Sequence, residues 1–267
     1  MTSPILIATD LDRTLIYSRA ASQLADTSAV PLTCVEIYEG QPISFMAEKA
    51  VNLIRDLEPK ALVVPVSTRT TSQLMRVRIP YLNDRFAVAA NGGVLLVDGH
   101  PDEGWSCRVR ARLSAGACLD EVWKHANEVF LPAWTSSLRI AEDLFCYMVV
   151  DRDRLPIEFV SEITDWAAER GWTTSLQGRK FYLVPTSLTK SAAIAEIAHR
   201  TKASLVLAAG DSLLDIDLLA SADLGIHPNH GEIAALGWTA PHVSRTRASG
   251  IQAGEEICQW FTDKVQT

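Results

Sequence analysis

The chain has 267 residues, 48% hydrophobic and 21% charged, with 25 Lys and Arg against 32 Asp and Glu for a net charge of −7. Length and apolar share are ample for a buried core and exclude an overall disordered chain, and the acidic balance argues against a protein whose main task is to coat nucleic acid. Five cysteines (Cys34, Cys107, Cys118, Cys146 and Cys258) are odd in number and never spaced C-x-x-C, so neither a disulfide framework nor a zinc site is expected, and the pattern suits a reducing cytoplasm.

The first apolar run, Ile5-Leu6-Ile7-Ala8, is cut by Asp10 and has no basic residue before it, so no secretory leader is expected. No stretch approaches eighteen apolar residues, so no membrane span is expected either. The run reads as a strand ending at Thr9-Asp10. Residues 18–43 have weak periodicity and exceed a usual connection; an extra flap or hairpin near the first strand is expected there. A helical pattern covers 44–58. Strand-like runs follow at 61–66, ending in Ser67-Thr68, and at 87–90, ending in Asn91-Gly92-Gly93. A second helical pattern covers 190–200, and a last run, 205–209, ends at Gly210-Asp211. Short apolar runs of this kind read as strands buried on both faces of a parallel sheet. Their alternation with helices predicts an α/β doubly wound, Rossmann-like core.

The middle of the chain reads differently. Helices are expected at 112–129 and 156–170 and strands at 144–150 and 180–184, with turn signals at Asn91-Gly92-Gly93 and Asp98-Gly99-His100-Pro101. A second, α+β module is therefore placed at 95–185, inserted between core segments 1–94 and 186–267.

Ligands of an open parallel sheet bind beyond the carboxyl ends of its strands, and three such ends carry unusual chemistry. In Asp10-Leu11-Asp12-Arg13-Thr14, two carboxylates lie two residues apart and can point to the same side of an extended chain. Their repulsion calls for a neighbouring cation. A calcium loop is excluded, because Leu15 and Ala21 stand where it needs Gly and Glu. In Gly210-Asp211-Ser212-Leu213-Leu214-Asp215, Asp211 and Asp215 can face one site from a loop that opens a helix, while Asp217 points elsewhere. Ser67-Thr68-Arg69 offers a hydroxyl and backbone N–H groups at a strand-to-helix turn, suited to phosphate oxygens. Lys190 opens a helix, where the macrodipole disfavours a cation; carboxylates or phosphate beside it would offset that. Taken singly, each of these is also explained by helix capping, turn formation or a solvated surface charge.

Their order along the chain is more specific. D-x-D-x-T, then S-T-R, then K, then G-D-x-x-x-D resembles the haloacid dehalogenase superfamily. The 95–185 insertion resembles its C2 cap, and Asn91-Gly92-Gly93 with Pro185–Lys190 resembles the Cof-type and sucrose-phosphate-phosphatase-like branch. The resemblance implies a cytoplasmic, Mg²⁺-dependent phosphatase acting on a small phosphoester such as a sugar phosphate, with neither nucleic acid nor membrane as partner. It implies Asp10 as nucleophile and Asp12 as general acid and base, Ser67 and Lys190 as further catalytic groups, and Thr68, Arg69 and Arg179 as substrate-binding groups. Metal ligands would come from the Asp10 carboxylate, the Asp12 backbone carbonyl and Asp211, with Asp215 either ligating through water or pairing with Lys190. A phosphomutase, or a silent binding protein on the same fold, are the alternatives.

Two positions depart from the family pattern. Arg13 replaces a usual Gly, and since Arg avoids positive φ, an ordinary backbone is expected there. Leu214 replaces a frequent Asn. On the cap, Arg139, Glu142, Arg179 and Lys180 are candidates to meet substrate, Arg179-Lys180 foremost, and among Trp105, Trp123, Trp134, Trp166 and Trp172 a sugar-stacking platform is possible beside plain packing. His227 and His230 lack the spacing of metal ligands and are expected at the rim of the site.

Overall fold

The structure, a computed structural model, describes residues 4–25, 29–80, 82, 85–130 and 133–266. Residues 26–28 of the expected flap, and residues 1–3 at the start of the stretch read for a leader, lie outside the described residues. In chain order the elements are β1 (Ile5–Thr9), β2 (Leu32–Tyr38), β3 (Gln41–Ala47), α1 (Glu48–Leu57), β4 (Ala61–Pro65), α2 (Thr71–Leu74), β5 (Phe86–Ala89), β6 (Val94–Val97), β7 (His100–Pro101) and α3 (Glu103–Leu113). They continue with α4 (Leu119–Val129), β8 (Thr135–Ala141), β9 (Phe145–Val150), α5 (Ile157–Ala168), β10 (Trp172–Gln177), β11 (Lys180–Pro185), α6 (Lys190–Thr201), β12 (Leu205–Ala209), α7 (Ile216–Ser221), β13 (Leu224–His227), α8 (Gly231–Leu236), β14 (Val243–Arg245) and α9 (Ile251–Gln266). Among the described residues no helix is long and apolar enough to cross a membrane.

The core is a parallel sheet in the order β14-β13-β12-β1-β4. Alternation along its strands builds two apolar layers. Leu6, Ala8, Val64 and Ala208 face Ala193, Ile194 and Ile197 of α6 and Leu218 and Leu219 of α7. Ile7, Val63, Leu207 and Ala209 face Ala50 and Ile54 of α1 and Ile257 and Phe261 of α9. Helices on both faces of a parallel sheet are the expected doubly wound arrangement. Because β1 lies between β12 and β4, the chain leaves the sheet at Asp10, Asp211 and Ser67 on three adjacent strands.

The second module is an antiparallel sheet, β10-β11-β9-β8, with α5 against β10 and α4 against β9. Its other face turns to the core. Ser175, Tyr182 and Tyr147 stand in register across β10, β11 and β9. All three side chains meet core groups: Glu232, Thr68 and Gln73 respectively.

Three expectations are corrected. The 44–58 pattern is strand β3 up to Ala47 and helix only from Glu48, because Tyr17 and Phe45 exchange backbone hydrogen bonds that hold this segment extended. The 112–129 pattern splits into α3 and α4. Between them Ala117 N–H donates to Arg170 O at 2.9 Å, and a Cβ on Gly116 would lie 2.8 Å from that oxygen, so the chain crosses the end of α5 too closely for a helix. The 87–90 run is no fully parallel strand. Val88 bridges Val66 in parallel, after which left-handed Ala90, Asn91 and Gly92 turn the chain into an antiparallel hairpin with β6. The segment after that hairpin stays near the core: Trp105 Nε1 donates to Gly92 O at 2.9 Å, and Arg108–Glu196 and Arg200–Asp102 ion pairs join α3 and its cap residue to α6.

Candidate active site

Asp10 follows β1, with its N–H held by Ala209 O at 2.9 Å, and its side chain is buried. Lys190 is wholly buried, and its Nζ lies 2.6 Å from Asp10 Oδ1 and 2.5 Å from Asp215 Oδ1. Thr189 caps α6 by accepting from Ala192 N–H. The approach of this corner to the core depends on Gly92, at φ +95°, where a Cβ would stand 2.0 Å from Thr189 O. Asp217 binds Ser191 N–H at 2.9 Å and so points away from the carboxylate cluster, as expected.

Asp215 Oδ2 accepts from Asp211 N–H, Ser212 N–H and Ser212 Oγ at 3.1, 2.9 and 2.7 Å. Gly210 permits this loop, since a Cβ there would lie 2.3 Å from Asp215 Cβ. One carboxylate oxygen from each of Asp10, Asp211 and Asp215 lies within 4.8 Å of the others. Burial, then the neighbouring carboxylates, push the Asp10 pKa up to about 7 against the pull of Lys190, and raise that of Asp211 as well. Lys190 is held strongly protonated by Asp10 and Asp215 against its own desolvation. Three buried carboxylates thus face one ammonium and the partly exposed guanidinium of Arg13, which leaves one negative charge uncompensated. A hard, oxygen-rich, electronegative site of this kind suits a small divalent cation.

Arg13 departs from expectation. Its φ is +64°, not that of an ordinary backbone. One local and one distant hydrogen bond offset the cost, roughly 1 kcal/mol for a non-Gly residue. Arg13 N–H donates to Ile16 O at 2.8 Å, and Arg13 O accepts from His230 Nε2 at 2.8 Å. His230 Nδ1 accepts from Gly250 N–H at 3.1 Å, which places the ring proton on Nε2. The Arg13 side chain reaches Asp211 Oδ2 at 3.3 Å. His230 thus sits at the rim of the site, while His227 is buried with Nδ1 against Pro228 O.

Ser67 is buried and its Oγ accepts from Arg69 N–H at 3.2 Å. Thr68 Oγ1 meets the Tyr182 hydroxyl at 3.3 Å. Arg69 holds Asp12 in a two-pronged ion pair, Nε–Oδ2 2.6 Å and Nη2–Oδ1 2.8 Å, and its third arm reaches buried Glu36 at 2.9 Å. Burial would raise the Asp12 pKa, but Arg69 overrides it and lowers it to about 2. The Asp12 carboxylate therefore stands apart from the three-carboxylate cluster.

The residues not anticipated are Glu36, Tyr182 and Glu232. Glu36 comes from the β2–β3 hairpin, so the expected flap reaches the site through Arg69. Glu232 joins cap to core: it accepts from Ser175 Oγ at 2.5 Å, Leu176 N–H at 2.8 Å and Leu213 N–H at 3.1 Å. Glu142 reaches from the cap to Thr71 N–H at 2.6 Å, a contact to the core and not to the pocket. Arg179 and Lys180 line a pocket of about 450 Å³ together with Asp12, Arg13, Arg69 and Tyr182, and no tryptophan contributes to its wall. Trp105, Trp134 and Trp172 are buried packing residues.

The Glu232 contacts carry a prediction. Glu232→Ala removes a charge-assisted anchor on which three donors converge, each bond contributing about 1.5–3 kcal/mol. Amide exchange at Leu176 and Leu213 should accelerate at least about tenfold, measured by hydrogen–deuterium exchange, with α9 unaffected. Unchanged exchange at both amides would show that Glu232 does not hold the cap.

The fold, a doubly wound parallel sheet with an inserted antiparallel α+β module, is shared with solved structures of phosphatases. No protein-family model matches the chain, and no curated protein matches it. Among solved structures, a sucrose-phosphatase from Synechocystis superposes with a TM-score of 0.65 at 14% identity, covering 98% of each chain. A trehalose-6-phosphate phosphatase related protein gives 0.54 at 19% identity over 98% of this chain and 99% of its own. A phosphatase of the haloalkanoate superfamily from Bacteroides thetaiotaomicron gives 0.55 at 14%, over 97% and 95%.

Proposed function

We propose that the chain is a Mg²⁺-dependent phosphatase that hydrolyses a small phosphorylated metabolite, a sugar phosphate or related phosphomonoester, by way of an aspartyl-phosphate on Asp10. The observation that carries this reading is the convergence of Asp10, Asp211 and Asp215 around Lys190 at the carboxyl ends of neighbouring strands, on a fold shared with phosphatases.

Asp10 attacks phosphorus, and the bond to the leaving oxygen breaks. Asp12 gives that oxygen a proton, then takes one from the water that hydrolyses the acyl phosphate. Asp12 can act so only after leaving the Arg69 fork, which holds it ionised: once freed it takes up one proton from solvent, gives that proton to the leaving oxygen and regains one from the attacking water, while the phosphoryl oxygens of substrate take its place on Arg69. Ser67 Oγ and the N–H groups after it hold the transferring oxygens, and Lys190 offsets their charge. The Asp10 carboxylate, the Asp12 backbone carbonyl and Asp211 would hold Mg²⁺, which would supply the remaining charge neutralisation. Asp215 belongs to Lys190, since one of its oxygens is on the ammonium and the other already accepts three hydrogen bonds.

The test is phosphate release from a panel of phosphomonoesters. Chelation of divalent ions should reduce it by at least about 100-fold, and Mg²⁺ should restore it. Undiminished turnover in chelator would overturn the metal assignment, and absence of any phosphate release would overturn the phosphatase reading.

A further inference from the structure

The pocket above Asp12 has an unusual charge balance. Asp12 is the sole carboxylate among its lining residues, against Arg13, Arg69, Arg179 and Lys180. Two of these cations are already engaged, Arg69 with Asp12 and Glu36 and Arg13 with Asp211. Arg179 and Lys180 have no carboxylate within ion-pair distance among the described residues. Lys180 is half-buried, with its Nζ 5.5 Å from the centre of the Tyr147 ring. The neighbouring Tyr182 and the Asp12 charge keep its ammonium protonated against the cost of burial. A charged lysine partly withdrawn from water, with Asp12 near but no carboxylate in direct contact, carries a standing cost that an acidic group arriving with a ligand would relieve.

The cap strands repeat this bias. β8, β9, β10 and β11 contain no Asp or Glu, and carry Arg139 and Lys180. Lys180 is paired with Val149 and Arg139 with Tyr147, and Tyr147 is paired with Tyr182. Strand alternation therefore puts both cations on the face that meets the core. Arg179 stands in the β10–β11 turn at the pocket rim. At about 450 Å³ the pocket holds a metabolite-sized leaving group. The neutral polar groups of the wall are Ser18, Ser44, Gln177 and Tyr182, of which Ser44 already donates to Glu36, Gln177 to Ser175 and the Tyr182 hydroxyl accepts from Thr68, so the cations outweigh the hydroxyl partners left for a neutral, polyhydroxylated leaving group.

We propose that the leaving group of the substrate carries a second acidic group, a carboxylate or a second phosphate, held by Lys180 with Arg179 at the rim. This inference rests on the phosphatase reading and narrows its substrate class. The probes are matched phosphomonoesters: glycerol 3-phosphate against 3-phosphoglycerate for a carboxylate, and fructose 6-phosphate against fructose 1,6-bisphosphate for a second phosphate. In the wild-type protein with Mg²⁺, kcat/KM for the acidic member of at least one pair should exceed that of its neutral partner by about tenfold to a hundredfold, as one charge-assisted contact provides. The pair with the larger ratio identifies the acid. In Lys180→Met that ratio should fall towards one, chiefly through KM of the acidic member. A neutral member that equals or exceeds its acidic partner in both pairs would overturn the proposal, as would a Lys180→Met variant that slows both members equally. If no member releases phosphate, the phosphatase reading fails separately. The subsite is then judged by calorimetric binding of the same pairs to Asp10→Asn protein with and without Lys180→Met, where the same ratios support it and their absence refutes it.

Discussion

Asp10→Asn is expected to lower phosphate release by about four orders of magnitude or more, the scale seen when a covalent catalyst loses its nucleophile. The carboxamide keeps the shape of the side chain and a hydrogen-bond acceptor for Lys190, but offers no anionic oxygen to phosphorus. The same substitution should leave the protein at least as stable as wild type. Asp10 is buried beside two other carboxylates, and its folded pKa of about 7 lies above the ordinary value. Between those two values the folded state holds more protons than the unfolded one, so stability falls as pH rises from about 4 through 7. Asn has no such penalty, and Lys190 keeps Asp215 as its partner. In chelator at pH 8 the variant should melt at or above the wild-type temperature, and the difference should close towards pH 5. Parallel phosphate-release and thermal-melt measurements check both halves; wild-type turnover in the variant would remove Asp10 from its role.

The parts of the site that were legible in the sequence share one property: each is set by local spacing at a strand end. Asp10 and Asp211 stand directly beyond apolar runs, and the parallel order of β12, β1 and β4 does the rest. Lys190 was visible because a lysine opening a helix needs an anion to offset the macrodipole, and two buried carboxylates supply it.

What was not legible depends on contacts between segments far apart. Arg13 could not be seen in a left-handed conformation, because the groups that stabilise it, His230 and Gly250, lie more than 200 residues away and carry no local mark. Glu36 sits in the weakly periodic 18–43 segment, where nothing local marks it, yet it is buried as the second carboxylate on Arg69. The separation of α3 from α4 depends on Arg170 O, a carbonyl that no helical periodicity records. Arg69 illustrates the limit most clearly. Its type and position suggest phosphate, and the folded chain gives it two carboxylates to hold.

Lys190→Met should have the largest effect on stability. Met matches the length of the aliphatic stem and packs in irregular apolar space, so little of the change comes from a cavity. What is lost is the cation between Asp10 and Asp215, and removing one partner of a fully buried ion pair costs about 3–5 kcal/mol. For a chain of this size that lowers the melting temperature by about 10 °C. The direction with pH separates charge loss from misfolding. Without the ammonium the Asp10 carboxylate protonates at higher pH than before, so the variant should recover more stability than wild type between pH 8 and pH 5.5. Mg²⁺ should protect it as well, because a divalent ion among the three carboxylates relieves the same repulsion. Activity should fall at least about 100-fold even where the fold is restored, since the charge proposed to offset the phosphoryl group in the transition state is gone. A Lys190→Met protein that melts with wild type at pH 8 would show that the ammonium is not what holds these carboxylates together.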